Sequence, residues 1–389
     1  MKLWEKMGAP KEKIVVGMAT YGRSFTLAST ENHGMNAPAA GGGKAGEFTR
    51  ESGFLAFYEI CDMLKDGAVY LWDDEQKVPY AIQGDLWVGF DDERSIREKM
   101  KWLIENDYAG AMVWTVDMDD FTGKCAGVKY PLIGIMAEEM LGRPSPPSSF
   151  NAIVKKATSR VLPKQTIPSA EANLIEKKSD VTTTSGPDSL TGEEIDPNST
   201  NARIVCYFTK WSQKRPGIGK FEPENIDPTL CTHLVYAFVG LKDHKVDEES
   251  EDPTLFEKMV KLKEKNPDLK LLLAVGGWMV GPGPFKSLTE NVYRQSSFTF
   301  STVELLRRIK FDGLDLCWEF PRGTDDKAKF TALIKELREA FEGEAKGSKK
   351  QRLLLTAAVP ASFEAVAAGY DVPELNKYYY FTINIDHRI

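Results

Sequence analysis

Hydrophobic positions in the second half of the chain fall into short β-rich runs at 204–208, 234–239, 271–275, 311–318, 353–358 and 379–385. Between them the spacing changes to that of helices, over 253–265, 291–310 and 325–344, and in the last of these Leu333, Leu337 and Phe341 stack on one face. Strands alternating with helices predict a parallel sheet with right-handed crossovers. Six strands do not close an eight-stranded barrel. The first half supplies a helix at its start, a strand at 13–18, an inserted piece over about 48–90, a helix over 93–106 and a strand at 111–116. Two strands and six make eight, so the two halves can close on each other.

Residues 143–201 break this pattern, running from Arg143-Pro144-Ser145-Pro146-Pro147 through Thr182-Thr183-Thr184-Ser185-Gly186 to Asp196-Pro197-Asn198. Few apolar residues recur there at helix or strand spacing, which predicts a flexible linker between folded blocks at 1–142 and 202–389. With 42% hydrophobic and 11% aromatic residues in 389, the chain can bury a substantial core. A formal net charge of -7 without a dominant basic run argues against a nucleic-acid partner, and no apolar run is long enough to cross a membrane as a helix. His33, His233, His244 and His387 lack ligand spacing, so neither metal nor cofactor is expected.

The candidate chemistry sits in Phe311-Asp312-Gly313-Leu314-Asp315-Leu316-Cys317-Trp318-Glu319-Phe320-Pro321. On a strand, Asp315, Cys317 and Glu319 share one face, and Leu314, Leu316 and Trp318 share the other. A carboxyl group held near another can keep its proton and serve as a general acid. This stretch resembles the catalytic strand of glycoside hydrolase family 18, the chitinases, whose motif is Asp-x-x-Asp-x-Asp-x-Glu with an aromatic-Pro tail. Asp312, Asp315 and Glu319 fall on its first, second and last acids, and Cys317 stands in place of the third.

The resemblance extends over 1–142 and 202–389. It implies a (β/α)8 TIM barrel with an α+β insertion subdomain, cut so that the tail of one barrel precedes the head of the next, either partial or circularly permuted. Tyr21-Gly22-Arg23-Ser24-Phe25 resembles the segment after the seventh family strand, and Met112 to Phe121 the eighth. Residues 24–27 and 84–87 look like β parts of the insertion. Glu319 is then the proton donor in a reaction where the substrate's own N-acetyl carbonyl attacks the sugar carbon, with retention of configuration. Tyr21, Arg23, Trp114, Trp211, Trp278 and Trp318 match positions that bind chitin or its oligosaccharides, although core packing is a rival reading for Trp318. Asp117 resembles a further position at the eighth strand, and Asp119 and Asp120 read as surface or capping acids. Lys44, in a glycine-rich stretch without the remaining phosphate-loop residues, reads as part of a mobile loop.

Cys61 with Cys125 and Cys206 with Cys231 resemble disulfides of arthropod-type chitinases, with reduced buried thiols the alternative. Together with the Asn198-Ser199-Thr200 sequon they suit a secreted protein, although residues 1–6 do not read as a secretory signal. Two departures qualify the activity. Cys317 cannot supply the negative charge of the missing acid, and the last strand carries Phe381 to Asp386 where the family has Met-x-Tyr-Asp, with Asp386 the one acid near that place. The expectation is a chitinase-type hydrolase strongly impaired by Cys317, with an inactive chitin-binding, lectin-like protein as the alternative.

Overall fold

A computed structural model describes residues 2–160 and 202–385. Asn198, Asp386 and His387 lie outside the described residues. The core is a closed barrel of eight strands, here numbered in chain order: β1 (Ile14–Ala19), β2 (Gly110–Trp114), β3 (Arg203–Thr209), β4 (His233–Val239), β5 (Lys270–Gly276), β6 (Gly313–Cys317), β7 (Leu354–Pro360) and β8 (Phe381–Ile385). Every neighbouring pair is parallel, and β8 returns to β1 with Ile14 opposite Thr382 and Val15 opposite Ile383. The seam between β2 and β3 joins the two blocks, with Gly110 opposite Arg203. A Cβ at Gly110 would lie 1.9 Å from the Arg203 carbonyl oxygen, so this close approach admits only glycine. The chain is therefore a (β/α)8 barrel.

Alternation along the strands divides the core in two. Val15, Met112, Val205, Tyr207, Val235, Leu272, Cys317 and Ile383 fill the barrel interior, and their neighbours in sequence pack outward against the helices. The helix Gly323–Ser348 buries Phe330, Leu333, Ile334, Leu337 and Phe341, the stripe expected from its spacing.

The insertion after β1 is larger than expected and starts earlier. Its antiparallel sheet runs in the order Ala39–Gly42, Tyr21–Leu27, Leu86–Phe90, Val78–Gln83, Val69–Asp73, with Phe54–Ala56 also pairing with Tyr21–Leu27. Of residues 84–87, read as a strand, Leu86 and Trp87 open strand Leu86–Phe90, while Gly84, with φ 63°, lies in the turn before it. The glycine-rich stretch read as a mobile loop contributes the edge strand Ala39–Gly42, although Lys44 itself is exposed and outside it.

Part of the segment read as linker is folded. Helix Phe150–Thr158 buries Phe150 against Phe57, with ring centroids 5.1 Å apart, and the Arg160 guanidinium donates to the carbonyls of Leu64 and Ala68. Both expected disulfides are present. Cys61–Cys125 ties helix Phe57–Lys65 to the loop after β2, and Cys206–Cys231 ties β3 to the approach to β4. Cys317 is free and buried.

His233 opens β4 fully inside the protein, its ring edge-on to Phe381 at 5.2 Å and its Nδ1 2.8 Å from the Thr232 hydroxyl. Burial, and then the charges of Arg203 and Lys270, push its pKa down from 6.5 to about 3. Below pH 6.5 the unfolded chain takes up a proton that the folded chain refuses. This contribution to stability is thus lost as pH falls from about 6.5 to about 3, at up to ~1.4 kcal/mol per pH unit. Urea unfolding at several pH values in that window should show a shallower loss for His233→Gln than for the parent. Equal slopes would exclude this account.

Candidate active site

All strands point the same way, so their C-terminal ends form one rim, and loops at that rim can gather residues from distant parts of the chain. Tyr21 and Arg23 follow β1, Trp114 ends β2, Trp211 follows β3 and Trp278 follows β5. These five line one cavity of about 510 Å³ together with Phe54, Met118, Lys214 and Arg215. Non-proline cis peptides occur at the same rim, at Trp114–Thr115, Ala237–Phe238 and Glu319–Phe320.

The cavity's aromatic side is a packed cluster. Trp114 lies 5.1 Å from Tyr207 and stacks on Phe238 at 5.8 Å, while Trp278 meets Trp114 edge-on at 5.7 Å and Trp211 at 5.4 Å. Trp278 stays 47% exposed. Flat rings of this kind receive the apolar C–H faces of sugars and exclude water from them. On the opposite side Arg23 lies over the rings of Tyr21 and Phe54, at 5.6 and 5.2 Å from their centroids.

Beneath the rim, Asp315 is wholly buried in the barrel interior and accepts three hydrogen bonds. Tyr207 donates to its Oδ2 at 2.6 Å, Thr356 to its Oδ1 at 2.7 Å, and the Cys317 thiol to its Oδ2 at 3.1 Å. Burial pushes the Asp315 carboxyl above its ordinary range against the pull of these donors, and the charge of Glu319 adds to the push. The Cys317 thiol is raised well above its usual value, first by burial and then by the charges of Asp315 and Glu319. Cys317 is therefore a neutral donor. Glu319 follows it after the strand ends and is 9% exposed.

Two expected site residues are elsewhere. Asp312 precedes β6 at the opposite end of the barrel, where its Oδ2 accepts from Lys263 Nζ at 2.5 Å and from the Leu271 amide at 2.6 Å. Trp318 faces outward, fully buried, stacked on Phe285 at 5.4 Å and edge-on to Phe330 at 5.9 Å. Core packing accounts for it, as strand alternation requires of a residue between Cys317 and Glu319. Asp119 and Asp120 do cap backbone amides but are buried, not on the surface. Asp119 accepts from the amides of Leu132 and Ile133 at the start of helix Pro131–Leu141, and Asp120 from those of Gly123 to Ala126. Burial pushes Asp119 up to about 7.

Sequence reasoning overlooked Tyr207, Thr356, Phe238 and Arg215. The first was within reach, because Val205, Tyr207 and Thr209 alternate onto one face of β3. Arg215 was not. Its Nη1 lies 2.6 Å from Asp117 Oδ2, a pair with side chains 8% and 0% exposed, and Thr209 donates to the other Asp117 oxygen at 3.0 Å. Nothing in the spacing of residues 98 apart announces that contact.

The model for "Glycosyl hydrolases family 18" matches residues 1–119 and 203–385, which together hold all eight strands. The chain belongs to glycosyl hydrolase family 18. Along 97% of its length it is 32% identical to a protein named probable chitinase 10 from Drosophila melanogaster, of which it covers 20%. It is 47% identical to mouse chitotriosidase-1 over 179 residues, 45% of this chain and 39% of that protein. Among solved structures, human YKL-39, described as a pseudo-chitinase with retained chitooligosaccharide binding properties, matches 47% of this chain and 50% of its own with 42% identity and a TM-score of 0.44. The family 18 chain described here thus spans less than half the length of either curated relative.

Proposed function

We propose that this chain binds chitin oligosaccharides in its aromatic cavity and hydrolyses them only weakly. The observation that carries this reading is the hydrogen bond from the Cys317 thiol to Asp315, at the place where the family motif has a third acid. In substrate-assisted hydrolysis the N-acetyl carbonyl oxygen attacks the anomeric carbon, the glycosidic oxygen leaves with a proton, and a positively charged oxazolinium ring forms. Glu319 is the donor of that proton in this reading. The ring's charge needs an anion beside it, and the N–H of the acetamido group needs an acceptor. A protonated thiol turned toward Asp315 provides neither.

Binding stands on separate ground. Trp114, Trp211 and Trp278 line the cavity whatever residue occupies position 317. Calorimetry with chitotetraose is expected to show saturable binding, accompanied by little release of shorter sugars over the same period. Rapid cleavage by the unaltered chain would refute the impairment, and absence of binding would refute the whole reading. The two disulfides suit an oxidising compartment, which supports an extracellular location. We further infer that residues 1–142 correspond to the tail of one family barrel and 202–389 to the head of another, because the strand bearing the acids comes sixth in this chain and fourth in the family's order.

A further inference from the structure

The cavity's charge does not match a neutral polymer. Among its lining residues are four cations, Arg23, Arg50, Lys214 and Arg215, against one acid, Glu51. Arg215 is neutralised by Asp117. Arg23 rests on the faces of Tyr21 and Phe54, and no ion pair is present at Arg23, Arg50 or Lys214 among the described residues. Elsewhere on the molecule cations are commonly paired with acids, as Arg97 is with Glu138 and Glu139. The chain as a whole is acidic, with a formal net charge of -7. An excess of cations in a half-enclosed cleft of an otherwise negative protein focuses the field on that cleft.

The loops that carry Arg50 and Lys214 also lie against each other. Lys214 ends the 3₁₀ turn Lys210–Lys214, which also carries Trp211, and Arg50 lies in the loop before strand Phe54–Ala56. The two loops are clamped together beside the cavity. A Cβ at Gly219 would fall 2.5 Å from the Cβ of Phe48, so the backbone after Lys214 lies against the residue two positions before Arg50. A neutral sugar stacked on the tryptophans offers such a pair of cations hydrogen-bond acceptors but no counter-charge, whereas an anionic substituent on it offers both.

Resting on the carbohydrate reading above, we infer that the cleft selects N-acetylhexosamine oligomers bearing an anionic substituent, a sulfate or a carboxylate, with Arg23, Arg50 and Lys214 receiving the anion. Trp114, Trp211 and Trp278 take the sugar rings. The substituent's oxygens accept hydrogen bonds from the guanidinium and ammonium groups, and exposure of Arg50 and Lys214 makes the interaction sensitive to salt.

The test compares three ligands of equal length on the full chain by calorimetry: chitotetraose, 6-O-sulfated chitotetraose and 6-O-carboxymethylated chitotetraose. At about 20 mM salt the anionic tetramers are expected to bind roughly tenfold tighter than the neutral one, an advantage that shrinks at about 200 mM. In Arg50→Gln combined with Lys214→Gln, the ratio of anionic to neutral affinity should fall toward one. A preference for only one anionic tetramer identifies which substituent the cleft takes and supports the inference. Neutral binding with no gain for either anionic tetramer overturns the inference while leaving the proposed function standing. A ratio unchanged in the double variant overturns the assignment to these cations. Failure of all three ligands to bind overturns both readings together.

Discussion

Cys317→Asp is expected to raise the rate of chitotetraose cleavage by about 100-fold or more, the usual consequence of restoring one preorganised electrostatic group at a reacting centre. The thiol already lies 3.1 Å from Asp315 Oδ2, so a carboxyl group grafted there comes within hydrogen-bonding reach of a buried carboxyl group. Two such groups cannot both ionise cheaply and hold one proton between them. Tyr207, on the same oxygen, and Thr356, on the other, anchor Asp315, so the shared proton has a fixed partner on which to reside. The new acid can then leave the shared proton on Asp315 and face the sugar as an anion when positive charge develops, and take the proton back otherwise. Product release measured over a pH series on parent, Cys317→Asp and Cys317→Asp with Glu319→Gln checks each step. The double variant should return to the parent's low rate. A single variant no faster than the parent would mean that position 317 does not limit turnover and that the altered last strand does.

Arg215→Ala is expected to destabilise the fold by ~3–5 kcal/mol, because it leaves Asp117 buried without its counter-charge. The pair joins the loop after β2 to the turn after β3, so its loss weakens the seam where the two blocks of the chain meet. Tyr58 shares this neighbourhood, its hydroxyl raised by burial while the Arg215 charge pulls the other way. Urea unfolding should show a lower midpoint with an unchanged slope. The replacement of both partners, Arg215→Met with Asp117→Leu, should recover part of the loss, since the large penalty arises from one orphaned charge. An Arg215→Ala midpoint matching the parent's would show that water reaches Asp117 and that the pair is not a closure device.

The barrel strands and the long helices were legible because burial on both faces forces apolar runs of short length, and a helix packed on a sheet shows its stripe at 333, 337 and 341. Helix Phe150–Thr158 carried the same kind of signal in Phe150, Ile153, Val154 and Ala157, yet the proline and serine run before it masked the spacing. The insertion sheet was read poorly for another reason. Its strands are exposed on one side or short, and Gly84 between two of them marks a turn, not a strand. Of the residues that the family resemblance singled out, Tyr21, Arg23, Trp114, Trp211 and Trp278 line one cavity, and Asp315 and Cys317 are joined by a hydrogen bond in the barrel interior. Asp312 and Trp318 lie apart from that group, since a motif records spacing along the chain and not which end or face of a strand each position reaches.

The amino-acid sequence by itself determined that this chain carries eight strands' worth of barrel pattern and a family 18 acid strand with a thiol in place of an acid. These are local properties, written in periodicity and in side-chain chemistry. Only the tertiary structure decided that β8 meets β1 and β2 meets β3, that Tyr207 and Thr356 hold Asp315, and that Arg215 pairs with Asp117 while no acid among the described residues pairs with the other three cations of the cleft. Those outcomes depend on contacts between residues roughly 40 to 370 positions apart, whose energies come from ring closure, burial and pairing in space, none of which leaves a periodic trace along the chain.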